Sequence, residues 1–227
     1  MSTSPFVLGL QNEARKHSIP IHVGIHEPCN VKSASSAVQN KIKNTLVWID
    51  EHGKITQRYQ KLHLFDLDLS EDGGPRMKES DIIEAGTEMP APFDTAVGRV
   101  GSLICFDLRF AEVALSLKRQ GADIITYPSA FTPATGAAHW HALLRARAIE
   151  TQTYVIAAAQ VGAHNDKRTS YGHTLVVDPW GQILAELPGA EDIKDRGLDW
   201  EPEVAFADID LRLCDKLRRE MPLLRRT

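Results

Sequence analysis

Cys105 stands where a thiol could act as a nucleophile. It follows an apolar run over residues 100–104 that has the pattern of a strand, and a helix is expected to begin shortly after it. Free N–H groups at the start of a helix favour the thiolate, which is the reactive form of cysteine. A buried structural cysteine is the alternative interpretation, and position alone leaves both open. Cys29, in an expected loop, and Cys214, in an expected helix, are predicted to be structural.

Lys61 lies at the end of a predicted strand, among apolar and aromatic neighbours. A lysine at such a place is usually a solvated surface charge. If it is partly buried, its ammonium group could instead stabilise a developing oxyanion. Glu79 lies inside a long predicted loop, where the residue type alone assigns it no role.

Three histidines also invite a chemical interpretation. His139 and His141 are two residues apart in an expected helix, so their side chains point to different faces and cannot share one metal ion there. No metal site is therefore predicted from this pair. His173 precedes a predicted strand and is either a histidine with a hydrogen-bonded structural role or a base for Cys105. The arginines of the same helix, at 145 and 147, are expected to form structural ion pairs.

The first part of the chain has the pattern of a helix, a strand and a hairpin followed by a long loop. Ser4-Pro5 is typical of a helix start, and Ile21, Val23 and Ile25 alternate with other residues as in a strand with one buried face. The predicted elements are a helix over 6–17, strands over 21–25, 45–49 and 55–59, and loops over 27–43 and 66–92. A loop as long as the second one is usually functional.

The second part of the chain alternates strands with helices. Near-continuous apolar strands in such an alternation predict a parallel sheet core and an α/β layered sandwich. The predicted strands cover 97–104, 123–127, 154–160, 174–177, 182–187 and 204–209, and the predicted helices cover 110–120, 139–151 and 211–220. Asp107 is predicted to cap the first of these helices.

The composition is that of an ordinary globular protein. The 227 residues include 43% apolar and 25% charged residues, and the formal net charge is −4, which disfavours a nucleic-acid partner. No apolar run is long enough for a membrane span, and the first residues lack the pattern of a secretory signal. Three widely spaced cysteines predict no disulfide framework. A cytoplasmic location is therefore predicted, with a mitochondrial form left open.

Several separate motifs together resemble those of the carbon–nitrogen hydrolase, or nitrilase, superfamily. The resemblance runs from about residue 5 to about residue 224. It is strongest to the branch of nitrilase-like amidases that hydrolyse deaminated glutathione, with the omega-amidases next. The matching stretches are Tyr59 to Asp66, Met77 to Ser80, Gly101 to Phe110, Tyr127 to Phe131, His139 to Trp140, Leu144 to Glu150, Ser170 to His173 and Asp178 to Gly181.

This resemblance implies a single carbon–nitrogen hydrolase domain over residues 1–227, folded as an α-β-β-α sandwich. It implies hydrolysis of a small-molecule amide through a thioester on a cysteine, in a homodimer, with no metal or organic cofactor. The catalytic residues would be Cys105 as nucleophile, Lys61 as oxyanion stabiliser and Glu79 as the residue that holds the lysine. The residues expected to contact substrate are Phe106, Tyr127 and Phe131.

The resemblance also implies differences from the family pattern. The chain matches from the family's second helix onward, so we expect it to lack the first strand and helix, and with them the Pro-Glu glutamate that acts as general base. His141 stands where the family often has glutamate. The alternative function is a catalytically impaired isoform or pseudoenzyme that keeps the fold as an interaction module. A thiol protease using Cys105 and His173 is a third, more distant interpretation.

Overall fold

The structure is a computed structural model that describes residues 4–32, 38–68, 70–73, 76–89, 91–166, 168–195 and 202–224. The chain divides into two compact units, residues 1–89 and residues 90–227. Among the described residues, no helix combines the length and the apolar character that crossing a membrane requires.

The first unit is built on a long antiparallel sheet with one helix against it. Its elements are α1 (Pro5–His17), β1 (Ile21–Lys32), β2 (Val38–Ile49), β3 (Ile55–Gln60), β4 (Asp66–Asp68), β5 (Arg76–Lys78) and β6 (Ile83–Glu84). Strands β1, β2 and β3 pair antiparallel in that order, and β6 pairs parallel with β2. Strands β4 and β5 form a separate hairpin.

Helix α1 begins as the sequence predicts, with Pro5 in its first turn, although the Ser4 side chain makes no capping hydrogen bond. In the sequence, Phe6, Leu10 and Ala14 recur at helical spacing, and the buried face of α1 differs from this pattern at one residue. Val7 and Ala14 are buried against Ile25 and the end of β2, whereas Phe6 is 60% exposed. The helical spacing was therefore correct, but the stripe that faces the sheet passes through Val7 rather than through Phe6.

Two loops predicted in this unit are wrong in part. Strand β1 continues to Lys32 and β2 begins at Val38, so most of the predicted loop over 27–43, including Cys29, is paired strand. The predicted loop over 66–92 contains β4, β5 and β6. Strands can pair through their backbones without an apolar face. Polar strands therefore lack the alternation of apolar and polar residues from which strands are predicted. Charge pairs support the short hairpin instead, with the Lys78 ammonium 2.9 Å from the Asp68 carboxylate.

The second unit contains a six-stranded mixed sheet. Its strands are β7 (Phe93–Thr95), β8 (Gly98–Ser102), β9 (Ile124–Thr126), β10 (Tyr154–Ala157), β13 (Leu175–Val177) and β14 (Ile183–Glu186). Between β10 and β13 in the chain, β11 (Val161–Asn165) and β12 (Arg168–Tyr171) form a separate hairpin. The helices are α2 (Ala111–Arg119), α3 (Pro133–Thr151), α4 (Ala190–Asp195) and α5 (Leu211–Glu220). Strands β8, β9 and β10 pair parallel, which confirms the predicted parallel core.

Two predictions for the second unit need correction. Helix α3 begins at Pro133, six residues before the predicted start, because the Thr132 side chain accepts a hydrogen bond from the Thr135 N–H and caps it. The predicted strand over 204–209 is not a strand; Val204 and Phe206 are 74% and 88% exposed. Alternating apolar residues form a strand only where a neighbouring strand is available for pairing.

Gly53 lies in the turn between β2 and β3 and allows α1 to approach that turn closely. Its φ is +76°, and a Cβ built there would lie 2.3 Å from the Gln11 carbonyl oxygen of α1. The Gln11 side chain also donates a hydrogen bond of 2.8 Å to the Gly53 carbonyl. A side chain at this position would therefore meet rigid backbone as well as an unfavourable φ.

We predict that Gly53→Ala lowers the free energy of unfolding by about 2–4 kcal/mol, since both a left-handed φ and overpacking are introduced. Gly73→Ala is the matched control, because Gly73 has a φ of +72° and, its chain neighbours aside, no atom of the described residues lies within 4 Å of its Cβ position. The control should cost only about 1–2 kcal/mol. Urea unfolding of both variants measures the difference, and equal losses would contradict the role assigned to the contact with α1.

Candidate active site

Lys61 and Glu79 form a buried ion pair in the first unit. The Lys61 side chain is 3% exposed, and its Nζ donates hydrogen bonds of 2.9 and 2.6 Å to the two carboxylate oxygens of Glu79. The surface-charge interpretation of Lys61 is therefore wrong. An ammonium group removed from water requires an anion beside it, and Glu79 supplies that anion.

Backbone hydrogen bonds position both members of this pair. Lys61 follows β3, where its N–H donates to the Asn44 carbonyl at 2.9 Å and its carbonyl accepts from Gly86 at 2.7 Å. Glu79 follows β5, where its N–H donates to the Phe65 carbonyl at 3.0 Å. In return, the Phe65 N–H donates to the Glu79 carboxylate at 2.8 Å. The long predicted loop thus carries Glu79 to the end of β3.

Cys105 lies in the second unit at a turn between the parallel sheet and α2. Its φ is +45°, a left-handed conformation that costs a non-glycine residue about 1–3 kcal/mol. A short 3₁₀ helix over Cys105–Arg109 starts at this residue. The Cys105 N–H donates to the Pro128 carbonyl at 3.0 Å, which continues the ladder beyond β9. The half-buried thiol is therefore held where a strand ends and helical turns begin.

Asp107 and Arg147 hold this turn from within the unit. The prediction that Asp107 caps α2 is wrong. Asp107 lies fully buried inside the 3₁₀ helix and accepts a hydrogen bond of 2.9 Å from the Ile104 N–H. The buried Arg147 guanidinium of α3 donates to the Leu108 carbonyl at 2.7 Å and pairs with Glu150. The ion pair predicted for Arg147 is confirmed. Its contact with the turn was missed, because no sequence pattern links residues 39 apart.

The aromatic residues expected to contact substrate lie around the Cys105 turn in different environments. The Arg109 guanidinium lies 6.0 Å from the centre of the Phe106 ring and 5.6 Å from that of Phe131. Phe131 also packs against Trp140, with ring centres 4.8 Å apart. Tyr127 is fully buried, which raises the pKa of its hydroxyl. A role for these three residues in substrate binding stays a prediction.

The other cysteines differ from Cys105 in their surroundings. Cys214 is fully buried on α5, and this burial raises the pKa of its thiol to about 11. Its thiol points to the Asp123 carbonyl at 3.9 Å. The structural role predicted for Cys214 fits this environment, since a thiolate would be disfavoured there. Cys29 is half-buried on β1.

The histidines separate as their helical spacing predicts. His139 Nδ1 lies 3.1 Å from an Arg109 guanidinium nitrogen, whereas His141 Nε2 lies 2.8 Å from a Glu186 carboxylate oxygen. His173 Nδ1 lies 2.7 Å from the same Glu186 oxygen, and its backbone carbonyl accepts a hydrogen bond from the Trp140 indole. These hydrogen bonds fit the structural role, which is one of the two roles left open for His173.

We predict that Glu79→Gln lowers the free energy of unfolding by about 3 kcal/mol, because it leaves the Lys61 charge buried and without an anion. Adding Lys61→Met should recover part of this loss, since the double variant carries no buried charge. Arg76→Gln is the control, because Arg76 pairs with Asp81 at 3.0 Å while 50% exposed, and exposed pairs contribute less than about 1 kcal/mol. Similar losses for Glu79→Gln and Arg76→Gln in urea unfolding would contradict the buried-pair interpretation.

Comparison with known proteins identifies relatives that match most of this chain. It is 48% identical over 225 residues to "Probable hydrolase nit2" of Schizosaccharomyces pombe, covering 98% of this chain and 75% of that protein. It is 47% identical over 182 residues to "Deaminated glutathione amidase" of Dictyostelium discoideum, covering 80% of this chain and 58% of the relative. The chain spans about half the length of several other relatives that it matches, for example 44% of one and 52% of another.

Solved structures show the same fold. The NitFhit protein of Caenorhabditis elegans superimposes with a TM-score of 0.80 at 43% identity, over 96% of this chain and 49% of that one. An amidase variant from Nesterenkonia sp. AN1 superimposes with a TM-score of 0.63 at 26% identity, over 80% of this chain and 62% of that one. That amidase was seen with the acetamide moiety of fluoroacetamide covalently attached to its active-site cysteine.

The carbon-nitrogen hydrolase family model matches residues 2–219, nearly the whole chain. The mixed α/β fold predicted from the sequence agrees with this match and with the superimposed structures. On these grounds the chain belongs to the carbon-nitrogen hydrolase family, and its fold is that of the nitrilase superfamily.

Proposed function

We propose that this chain hydrolyses a non-peptide amide bond through a thioester on Cys105. The observation that carries the proposal is the left-handed turn at Cys105, which places a half-buried thiol at the end of a parallel strand in a carbon-nitrogen hydrolase chain. The covalent adduct on the active-site cysteine of the Nesterenkonia amidase supports the same chemistry. Strained backbone of this kind is concentrated at functional sites.

In the first half of the reaction, the Cys105 sulfur attacks the carbonyl carbon of the amide, and the thiol proton is transferred to the amide nitrogen. The carbonyl π electrons move to oxygen, and an oxyanion forms. The C–N bond then breaks, the nitrogen leaves with a proton as ammonia or an amine, and a thioester remains. In the second half, water attacks the thioester, the acid is released and the thiol is restored. Covalent catalysis divides one difficult hydrolysis into two easier steps.

Lys61 is proposed to stabilise the oxyanion, and Glu79 is proposed to hold Lys61. An ammonium group has three N–H donors, and the bonds to Glu79 use two of them. Because Glu79 also accepts from the Phe65 N–H, its carboxylate is fixed as a hydrogen-bond acceptor. This arrangement favours a positioning role for Glu79 and a preorganised positive charge at Lys61.

The proposed substrate class is a small amide of the deaminated glutathione type, in line with the name of the Dictyostelium relative. Phe106, Tyr127 and Phe131 are proposed to shape the surroundings of the scissile group. A homodimer and a cytoplasmic location remain predictions. Measuring turnover with deaminated glutathione and with a dicarboxylic acid monoamide distinguishes this substrate class from that of an omega-amidase.

We predict that an amide substrate adds one acyl group to the protein, on Cys105, and that Cys105→Ala abolishes both this adduct and turnover. Intact-mass spectrometry followed by peptide mapping measures the adduct. Cys29→Ala is the matched control and should still form the adduct and turn over the substrate, because Cys29 lies on β1 and not at the strained turn. An acyl group located on Cys29 or Cys214 would contradict the proposal.

Lys61→Met is predicted to slow turnover by about 10²- to 10³-fold, the usual cost of losing one oxyanion donor. Lys54→Met, at an exposed position in the hairpin turn before β3, is the control and should leave the rate unchanged. Circular dichroism verifies that both variants are folded at the assay temperature. Turnover by folded Lys61→Met at the rate of the Lys54→Met control would show that the Lys61 charge has no catalytic role.

A further inference from the structure

A second cluster of chemistry-bearing side chains lies in the second unit, outside the residues assigned to amide hydrolysis. His141 of α3 and His173, just before β13, both direct a ring nitrogen at one oxygen of Glu186, at 2.8 and 2.7 Å. The three ligand atoms lie within 4.8 Å of one another. Three different elements therefore bring two imidazole nitrogens and one carboxylate oxygen together.

The surrounding chain holds His173 in one orientation. Its backbone has a φ of +59°, and its ring packs at a tilt against the Tyr171 ring, with ring centres 4.4 Å apart. Gly189 also lies against the ring, since an added Cβ there would approach His173 Nε2 to 2.2 Å. His173 therefore has little freedom to turn away from Glu186, and a preorganised donor is characteristic of a built ligand site.

The charges around the cluster favour a cation. Burial alone would raise the pKa of the Glu186 carboxyl, but hydrogen bonds from His141 and His173 outweigh it, and the pKa lies below its usual value. A second carboxylate, that of Asp192, lies 3.6 Å from His173 Nε2 and accepts a hydrogen bond of 2.8 Å from the Gly189 N–H. Asp192 thus faces Nε2 of His173, whereas Glu186 faces Nδ1.

We propose that His141 Nε2, His173 Nδ1 and a Glu186 carboxylate oxygen bind a divalent cation of the Zn²⁺ class, with water completing a tetrahedral site. Two histidines and one carboxylate are an established ligand set for zinc. This proposal is independent of the amide chemistry proposed for Cys105.

The ligands must rearrange locally to admit the ion. Ligands about 2.0–2.1 Å from zinc are separated by roughly 3.3 Å in a tetrahedral site, so the two hydrogen bonds must open by about half an ångström. The two ring nitrogens, which lie within 4.8 Å of each other, must reach the same separation. The ring nitrogens that bind the ion must lose their protons. For His173, the proton can move to Nε2, which faces the Asp192 carboxylate at 3.6 Å. A carboxylate that accepts a hydrogen bond from the second nitrogen of a metal-binding histidine is a common partner.

The ligands are also accessible to an ion from solvent. The side chains of His141, His173 and Glu186 are 32%, 16% and 31% exposed. If these three side chains only joined α3 to the sheet through hydrogen bonds, they would need no ion. The two roles are therefore separated by measuring binding rather than stability.

The experiment titrates the full chain, first stripped with EDTA, with Zn²⁺ against a chromophoric chelator, using His141→Gln, Glu186→Gln and Asp192→Asn. We expect one Zn²⁺ per chain, at least tenfold weaker binding in the first two variants, and about 10- to 100-fold weaker binding in Asp192→Asn. His139→Gln is the matched control, because His139 lies on the same helix and contacts Arg109 instead. It should bind as the unchanged chain does.

Substitution with Co²⁺ distinguishes this site from binding to a thiol. The proposed N/O ligand set gives a visible tetrahedral spectrum without a thiolate charge-transfer band. Such a band, absence of stoichiometric binding, or equal affinities for His141→Gln and His139→Gln would overturn the proposal. If Glu186→Gln fails to fold, His141→Gln still decides the outcome, because His141 is half-exposed on a helix surface.

Discussion

The first unit depends on one electrostatic constraint: the ammonium group of a side chain that is only 3% exposed cannot remain charged without an anion beside it. Glu79 meets that requirement with both carboxylate oxygens, and it is in turn fixed by the Phe65 N–H. The chain between Lys61 and Glu79 must therefore return to the end of β3. The hairpin of β4 and β5 makes that return, which explains why a polar stretch with many acidic residues contains paired strands.

The second unit solves a different problem, that of holding a nucleophile in a strained conformation. Parallel strands β8 and β9 extend into hydrogen bonds that reach the Cys105 N–H, and the buried Asp107 ties the turn back onto Ile104. Arg147 fixes the following carbonyl from α3. These bonds offset the cost of the positive φ, so the thiol side chain is presented at a defined place. The same helix carries His141, which lies in the cluster with His173 and Glu186.

Residues of one type acquire different properties from these surroundings. Cys105 lies half-buried at the strained turn, while Cys214, on an amphipathic helix, is held as a thiol by burial. His139 and His141, two residues apart, contact an arginine and a carboxylate respectively. In each case the neighbouring elements, and not the residue type, decide the chemistry that is available.

The sequence by itself determined the family, the parallel core and the closing helix over 211–220, because these depend on local spacing and on motifs that are contiguous in the chain. It also singled out Lys61, Glu79 and Cys105. Only the tertiary structure decided that Lys61 is buried against Glu79, that Arg147 supports the turn and that His141 meets His173 and Glu186. It also decided that Val204 and Phe206 form no strand. Burial and pairing between residues far apart in sequence arise from packing, and a local pattern carries no record of which distant element will lie beside it.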